Sequence, residues 1–237
     1  DMMLLVHPVD PTIKRLERLL KYVICHTDSS ESLLIKPGDI YKKKALNELE
    51  KRSKEDFIVF LGHGRSDALF GSKGAEWNAV VSPEAIEQDP DKFYNDENLI
   101  CSTNYHLLKG KKIFCFACNS VELGQTLEKR GIDCVLLGFD RLPTTKEEFK
   151  DDWHLTVSRH MLAATKGCLN IAVRQCIITA VEQHCEFGEM EEIMKFELQK
   201  QISFLLTSKA RYRYELANVL SAIKANVMVV GDRSIRV

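Results

Sequence analysis

Three short runs of apolar, β-favouring residues constrain the fold of this 237-residue chain more than any other feature. They span residues 57–61, 113–117 and 134–137, and a glycine directly follows the first and the last. A strand that is apolar at every position, rather than at every second one, is buried on both faces, as in a parallel sheet. A helical segment at 120–130 separates the last two runs, so this stretch predicts a right-handed βαβ unit.

The rest of the chain supplies further strands and many helices. Strands are predicted at 2–7, 32–35 and 227–230, and helices at 12–24, 39–54, 146–165, 169–185, 189–208 and 214–225. Residues 71–103, which are acidic from 84 to 97, are predicted to form a long irregular loop with one short helix. We therefore predict an α/β three-layer sandwich with a mainly parallel sheet of about six strands and extra C-terminal helices. Residues 1–237 form a single domain in this prediction.

Charge and hydrophobicity exclude several classes of protein. The 33 Lys and Arg residues against 34 Asp and Glu residues leave a net charge of −1, which argues against nucleic-acid binding through a basic surface. No apolar run reaches the roughly 18–20 residues of a membrane-spanning helix, and the run at 2–6 is too short for a secretory signal. We predict no direct contact with membranes or nucleic acids. Because the chain begins at Asp1, we also predict that it is a piece of a longer protein.

The eight cysteines do not have the pattern of a disulfide framework. Cys115, Cys134, Cys168 and Cys176 lie inside apolar runs, where free cysteine behaves as a small hydrophobic residue. Free cysteines predict a reducing compartment, the cytoplasm. Cys115 and Cys118 have the spacing of half a zinc site, but no second pair stands at a matching spacing, so no metal and no other cofactor is predicted.

Two of the buried strands end in reactive side chains. His63 follows the strand at 57–61, and Cys118 follows the strand at 113–117. Ligands of parallel sheets bind at the carboxyl ends of the strands, and neighbouring strands lie about 4.8 Å apart. If these two strands are neighbours, the imidazole and the thiol lie at one edge of the sheet, within reach of each other as a base and a nucleophile.

The residues around this pair fit the same chemistry. Cys118 precedes a helix for which Asn119 is the predicted N-cap, in a capping box with Glu122, and the positive end of that helix favours a thiolate. The amides of Gly64 and Cys118 are predicted to face a tetrahedral oxyanion, since a glycine allows close approach. Hydrolysis of an amide by thiolate attack needs these groups and no metal.

Each motif alone is weak, and other interpretations stay open. A glycine after a buried strand is common, and a cysteine at a strand end packs more often than it reacts. The placement of both residues at the ends of two sheet strands favours a cysteine hydrolase. The alternative is a non-catalytic α/β recognition or signalling module. A nucleotide-binding fold is disfavoured, because Pro8 and Pro11 follow the first strand where a glycine-rich phosphate loop would stand.

The order and spacing of these motifs resemble a known family. Residues 61–65 (Leu-Gly-His-Gly-Arg) and 107–120, which end in Phe-Ala-Cys-Asn-Ser, are similar to the caspase-like cysteine peptidases, above all to their CHAT branch, which is related to separase. The resemblance extends over about residues 56–140. It implies Cys118 as nucleophile, His63 as base and proton donor, and the amides of Gly64 and Cys118 as the oxyanion hole. Position 115 is Cys rather than the acid of metacaspases, so their calcium dependence is not implied.

The resemblance also implies a class of substrate and a context. In CHAT and separase-like members, an acid after the following strand receives a basic side chain of the substrate. Asp140 stands at the matching position and Asp152 is a second candidate, although Asp140 could instead pair with Arg141 or Lys146. We therefore predict an endopeptidase that cleaves a protein partner after a basic residue. The branch implies the regulated output of a bacterial signalling or antiviral defence system, switched by a regulatory domain or an activator protein.

Overall fold

The computed structural model describes residues 2–143 and 145–237. The strands in these residues are β1 (Met3–Pro8), β2 (Ser30–Ile35), β3 (Phe57–Leu61), β4 (Gly64–Arg65), β5 (Ala68–Leu69), β6 (Lys112–Phe116), β7 (Val135–Gly138) and β8 (Met228–Val230). The helices are α1 (Leu16–Cys25), α2 (Asp39–Lys51), α3 (Pro83–Gln88), α4 (Pro90–Phe93), α5 (Ser120–Lys129), α6 (Lys146–Trp153), α7 (Arg159–Gln183), α8 (Phe187–Thr207) and α9 (Arg213–Asn226). A single 3₁₀ turn, Tyr105–Leu108, precedes β6.

Six of the strands form one sheet in the order β2-β1-β3-β6-β7-β8. The first five are parallel to one another, and β8 pairs antiparallel with β7. The predicted mainly parallel sheet of about six strands is confirmed. Parallel neighbours need crossover connections, and α1, α2 and α5 supply three of them.

Alternating strand side chains divide the interior into two cores, one on each face of the sheet. Leu5, Val59 and Phe114 belong to the core under α1, α7, α8 and α9. Val6 and Ile113 belong to the core under α2, α5 and the 3₁₀ turn. Because both faces are covered by helices, every residue of β3 and β6 is buried, as their sequences predict. The molecule is a three-layer α/β sandwich with additional C-terminal helices, which confirms the predicted architecture.

Helix boundaries after β7 differ from those predicted. The helix predicted at 146–165 is wrong: α6 ends at Trp153, and His154 after it adopts a left-handed conformation with φ of 52°. A new helix then begins after Ser158, whose side chain accepts a hydrogen bond from the amide of Met161. This α7 continues to Gln183 and absorbs the helix predicted at 169–185. Periodicity alone missed the break, because apolar residues at helical spacing continue on both sides of it.

A buried carboxylate in the acidic segment binds a lysine of α2. Residues 71–103 contain two short helices, α3 and α4, rather than one, and each has a proline in its first turn. Asp96 is 6% exposed and binds the ammonium of Lys42 at 2.7 Å, while its carbonyl accepts the amide of Gly71. This pairing attaches the long loop to α2. Among the described residues, no helix is both long enough and apolar enough to cross a membrane.

Candidate active site

The register of the sheet brings His63 and Cys118 to one edge. Pairing of β3 with β6 runs from Phe57 opposite Lys112 to Leu61 opposite Phe116, an offset of 55 positions. The amide of Gly62 still donates to the carbonyl of Phe116, at 3.2 Å, beyond the end of β3. Continued by two residues, the same offset sets His63 opposite Cys118, on strands about 5 Å apart. Both residues follow the carboxyl ends of their strands, where sheets of this type bind ligands.

The chain turns sharply after Cys118 through a residue in a left-handed conformation. Asn119 has φ of 55°, an uncommon conformation for a residue other than glycine, and its amide donates to the carbonyl of Asp140 at 2.5 Å. The predicted capping box is therefore wrong, because the Asn119 side chain makes no capping hydrogen bond. The amide of Val121 donates to the carbonyl of Phe139, so the amides of Asn119 and Val121 both bind the loop after β7 rather than a thiolate.

A buried serine locks this turn. Ser120 is fully buried, and its Oγ accepts the amide hydrogen of Phe139 at 2.8 Å. The hydroxyl donates toward the carbonyls of Cys115 and Ala117, at 2.9 and 2.8 Å. One side chain thus ties the end of β6 to the segment after β7. Gly138 allows β7 to approach the start of α5 closely, because a Cβ there would stand 2.8 Å from backbone atoms of Ser120 and Val121.

Gly64 lies against the backbone of the candidate nucleophile. A Cβ at this position would be 3.1 Å from the carbonyl oxygen of Cys118 and 3.2 Å from the Cβ of Ala117. The absence of a side chain therefore permits the contact between the two segments. The structure brings together the two residues whose amides were predicted to form the oxyanion hole.

The thiol of Cys118 is held by one residue of the loop after β7. Its Sγ donates to the carbonyl of Leu142 and accepts the amide of the same residue, both at 3.4 Å. Burial raises the pKa of this thiol to about 11, the hydrogen bond from the Leu142 amide opposes that rise, and the charges of Glu148, Asp152 and Asp140 add to it. The sequence had predicted a helix terminus that favours the thiolate, and the direction found is the opposite.

His63 is held by a hydrogen-bonded pair in the turn before α1. Its Nε2 lies 2.7 Å from Oγ1 of Thr12, which in turn donates to Oδ1 of Asp10 at 2.7 Å. A hydroxyl has one hydrogen, so Thr12 accepts from His63 and the Nε2 of the imidazole carries the proton. The other ring nitrogen, Nδ1, is therefore the basic one. Asp10 is almost fully buried, and its Oδ2 lies 3.8 Å from Nε2.

The resting pair is uncharged at neutral pH. Burial lowers the pKa of His63 below its ordinary value of 6.5, the charge of Asp10 opposes that shift, and Lys73 reinforces it. In this state the imidazole of His63 is free to act as a base, because the proton that it would take is still on the thiol of Cys118. The two side chains share no hydrogen bond, because Cys118 is bound to Leu142 and His63 to Thr12. Such contacts are often long before a substrate arrives.

A narrow pocket of about 40 Å³ opens beside Cys118. The residues that line it come from the turn before α1, the ends of β3 and β6, the loop after β7, and α7: Thr12, Ile13, Arg15, Leu16, Gly62, Phe116, Cys118, Leu142, Pro143, Lys166, Leu169 and Asn170. Its charged members, Arg15 and Lys166, are both cationic. This volume is enough for roughly three water molecules.

The two predicted substrate-binding acids lie outside this lining. Asp152, in the last turn of α6, forms an ion pair with Arg141 at 3.0 Å. Asp140 is half-buried, and its carbonyl takes part in the turn after Cys118. Both carboxylates are near enough for their charges to raise the pKa of Cys118. Cys115 belongs to the core on the opposite face from the one Cys118 packs against, so the two sulfurs do not converge.

Sequence reasoning missed several residues of the site. Asp10 and Thr12 form a short Asx turn directly after β1, and an Asp-Pro-Thr sequence is a recognisable signal for one. Arg15 and Lys166 left no such signal, because they lie on two elements far apart in the chain. His7 lies in β1, next to the strand that leads to His63. Its Nδ1 lies 2.8 Å from the carbonyl of Leu61, two residues before His63.

The sequence matches no protein-family model and no curated protein.

Proposed function

We propose that the chain is a caspase-like cysteine endopeptidase that cleaves a protein substrate. The observation that carries the proposal is the 55-residue register between β3 and β6, which sets His63 opposite Cys118 at the carboxyl edge of the sheet. Gly64 in contact with the Cys118 backbone, and Thr12 and Asp10 behind His63, supply the other groups that amide hydrolysis requires.

The proposed reaction uses groups of this chain alone. Nδ1 of His63 takes the thiol proton as Sγ of Cys118 attacks the substrate carbonyl carbon, and the amides of Gly64 and Cys118 stabilise the oxyanion. The C–N bond then breaks, and the leaving amine takes the proton from His63. Water, deprotonated by the same imidazole, hydrolyses the thioester, which returns the thiol and releases the carboxylic acid. Asp10 and Thr12 keep the Nε2 proton in place throughout.

The resting geometry suggests how such an enzyme would be regulated. Two backbone contacts from Leu142 hold the thiol, and burial keeps it protonated. Attack on a substrate requires the loop around Leu142 to release the sulfur. We propose that a regulatory domain or an activator protein moves this loop, as in many gated enzymes. A cytoplasmic location in a bacterial signalling or antiviral system suits the eight free cysteines.

The preference for a basic residue at the cleavage site stays part of the proposal. Asp140 is the better candidate for receiving that side chain, because Asp152 is already paired with Arg141. The basic side chain would neutralise a charge that now raises the pKa of Cys118.

The test is covalent labelling with acyloxymethyl-ketone peptides that end in Arg, Lys or Leu. We expect labelling at Cys118 alone among the eight cysteines, faster with Arg and Lys than with Leu, and lost in His63→Ala. The matched control is Cys115→Ala, which removes a buried thiol from the other face and leaves the labelling intact. Labelling scattered over several cysteines would contradict the proposal.

One observation favours a second candidate, a non-catalytic recognition or signalling module. The thiol and imidazole are each bound to another partner rather than to one another. Cys118→Ala separates the two functions. A module keeps its cellular function in this variant, whereas a peptidase loses cleavage and keeps its fold.

A further inference from the structure

Of the two edge strands among the described residues, β2 and β8, only β8 is closed by a side chain. This strand has three residues, and the amide of Val229 donates to Oε2 of Glu191 at 2.8 Å. Glu191 is 5% exposed and is held there by Lys195 and Arg233, each at 2.6 Å. A carboxylate thus occupies a backbone donor that a further strand beside β8 would need. The edge at β2 is twice as long, with six residues.

Three residues of β2 present unpaired backbone groups at this edge. The carbonyl of Ile35 accepts the amide of Val9 at 2.8 Å, so Ile35 and every second residue before it face β1. The amides and carbonyls of Ser30, Ser32 and Leu34 therefore point away from the sheet. No residue that the structure describes forms a hydrogen bond with these outward groups.

The features that protect exposed edges from pairing are also missing from β2. Natural edge strands carry lysine, proline or a bulge, or are covered by another segment. The sequence Ser-Glu-Ser-Leu-Leu-Ile has no lysine or proline, and its pairing with β1 is continuous over all six residues. The side chain of Glu31, its one charged residue, is bound by Arg52 at 2.6 Å, and Leu34 is 44% exposed. An unprotected edge of this length indicates that another strand pairs with it.

The order of residues in β2 is complementary to a second copy of the same strand. When two copies run antiparallel about a two-fold axis through Ser32, Ser32 stands opposite its own copy and Ser30 stands opposite Leu34. All three are outward residues, and the two members of each opposing pair exchange both of their hydrogen bonds. No outward group of these residues is then left without a partner. A register centred on Leu33 would leave Ser30 unpaired.

The helices that flank β2 fit the same arrangement. Because α1 contacts both β1 and β2, it lies about 2.4 Å inside the edge strand, and the two copies of α1 would lie about 10 Å apart, as packed helices do. On the other face, α2 has lysines at 42–44 in its first half and Glu48 and Glu50 in its second half. Antiparallel copies of α2 set the lysines of one copy toward the glutamates of the other, so their charges are complementary.

We propose that the chain forms a two-fold dimer through antiparallel pairing of β2, which joins the sheets of two copies into one continuous sheet. The occupant of the open edge is a second copy of this chain. The inference does not depend on peptidase activity, because β1 separates β2 from the strands that end before His63 and Cys118.

Position 32 gives the sharpest test, because only a residue on the two-fold axis meets its own copy. Ser32→Lys sets two lysines opposite one another, and Ser32→Glu sets two glutamates opposite one another. Each variant alone is expected to raise the Kd of the dimer several-fold in low salt, as measured by sedimentation velocity. An equal mixture of the two variants is expected to form a heterodimer at least as stable as the parent dimer. A mixture that stays as weak as either variant would contradict the two-fold register.

A backbone variant tests the hydrogen bonds themselves. Ser32→Pro removes the outward amide and keeps the pairing with β1, since an edge strand tolerates proline where its N–H faces solvent. We expect this change to raise the Kd of the dimer by at least about tenfold. Met228→Lys, at an exposed residue of β8, is the matched control and leaves the Kd unchanged. The lysine and glutamate variants keep the test decisive if the proline variant does not fold.

Disulfide cross-linking reads the register directly. The Cα atoms of a hydrogen-bonded antiparallel pair lie about 5.5 Å apart, within the range of a disulfide. With copper phenanthroline as oxidant, Ser32→Cys is expected to form a covalent dimer and Leu34→Cys is not, above the level that Cys25 and Cys101 give in the parent chain. A parent chain that stays monomeric at about 0.5 mM, or a dimer that survives Ser32→Pro and is lost in Met228→Lys, would overturn the proposal.

Discussion

Replacement of Thr12 by valine tests the group that orients the proposed base. The change keeps the shape of the side chain but removes the hydroxyl that accepts from Nε2 of His63 and donates to Asp10, each at 2.7 Å. Asp10 keeps its bond to the amide of Thr12, also at 2.7 Å, so the turn itself is retained. The variant therefore removes one connection from an otherwise intact site.

The expected loss of labelling rate follows from the hydrogen bond between Thr12 and the charged carboxylate of Asp10. A hydrogen bond that involves a charged group contributes about 1.5–3 kcal/mol, and each 1.4 kcal/mol is a factor of ten. We expect Thr12→Val to label with an Arg acyloxymethyl ketone about 10- to 100-fold more slowly than the parent chain. Thr12→Ser, which restores a hydroxyl, should recover most of the rate.

A direct assay of the imidazole separates positioning from general damage. Long-range ¹H–¹⁵N correlation spectra report which ring nitrogen of His63 carries the proton. We expect Nε2–H in the parent chain and in Thr12→Ser, and a mixture of tautomers in Thr12→Val. A Thr12→Val chain that labels at the parent rate, with its His63 proton still on Nε2, would refute the role assigned to Thr12.

Three further perturbations test the contact between the start of α5 and the end of β7, and the thiol of Cys118. Ser120→Ala leaves the buried amide of Phe139 without its acceptor, so the free energy of unfolding should fall by about 1–3 kcal/mol, against little change for Ser221→Ala on α9. Gly138→Ala places a Cβ 2.8 Å from backbone atoms and should lower the free energy of unfolding by about 1–3 kcal/mol. Its control is Gly167→Ala on α7, where the new Cβ meets open space and should raise the free energy of unfolding by about 0.5–1 kcal/mol. Iodoacetamide should alkylate Cys118 about tenfold more slowly at pH 7.5 than a thiol of pKa 9.0. A pKa of about 11 leaves roughly 100-fold less thiolate, and its greater nucleophilicity recovers about half of that loss on a logarithmic scale.

Urea denaturation gives the two stability comparisons, and peptide mass spectrometry gives the alkylation rate. Equal stabilities for Ser120→Ala and Ser221→Ala would show that the contact between α5 and the end of β7 does not depend on Ser120. A stable Gly138→Ala chain would show that α5 and β7 can separate at little cost. Fast alkylation of Cys118 at pH 7.5 would contradict a buried, protonated thiol.

Local sequence was sufficient to predict the framework of the site. The strand at 57–61 and the strand before Cys118 were predicted with their ends nearly correct, because uninterrupted apolar runs ended by turn residues have few other interpretations. The βαβ pattern predicted that the strand before Cys118 pairs with the next one, whereas its pairing with the strand before His63 was only a condition of the prediction, which the structure meets. The error at 146–165 arose because two helices of compatible periodicity, α6 and α7, are separated by only a few residues after Trp153.

Which chemical groups surround the sulfur could not be derived in the same way. Leu142 and Lys166 follow Cys118 by 24 and 48 positions, and Arg15 precedes it by 103. No pattern in the sequence links these positions. Their meeting depends on how α1, α7 and the loop after β7 pack on one face of the sheet.

The chain order of apolar and turn residues thus determined that a parallel sheet forms and that His63 and Cys118 stand at strand ends, because strand periodicity and burial are local properties of sequence. The tertiary structure decided the protonation of the thiol and the tautomer of the imidazole. These depend on desolvation and on charges brought together from distant segments, and both act through space rather than along the chain.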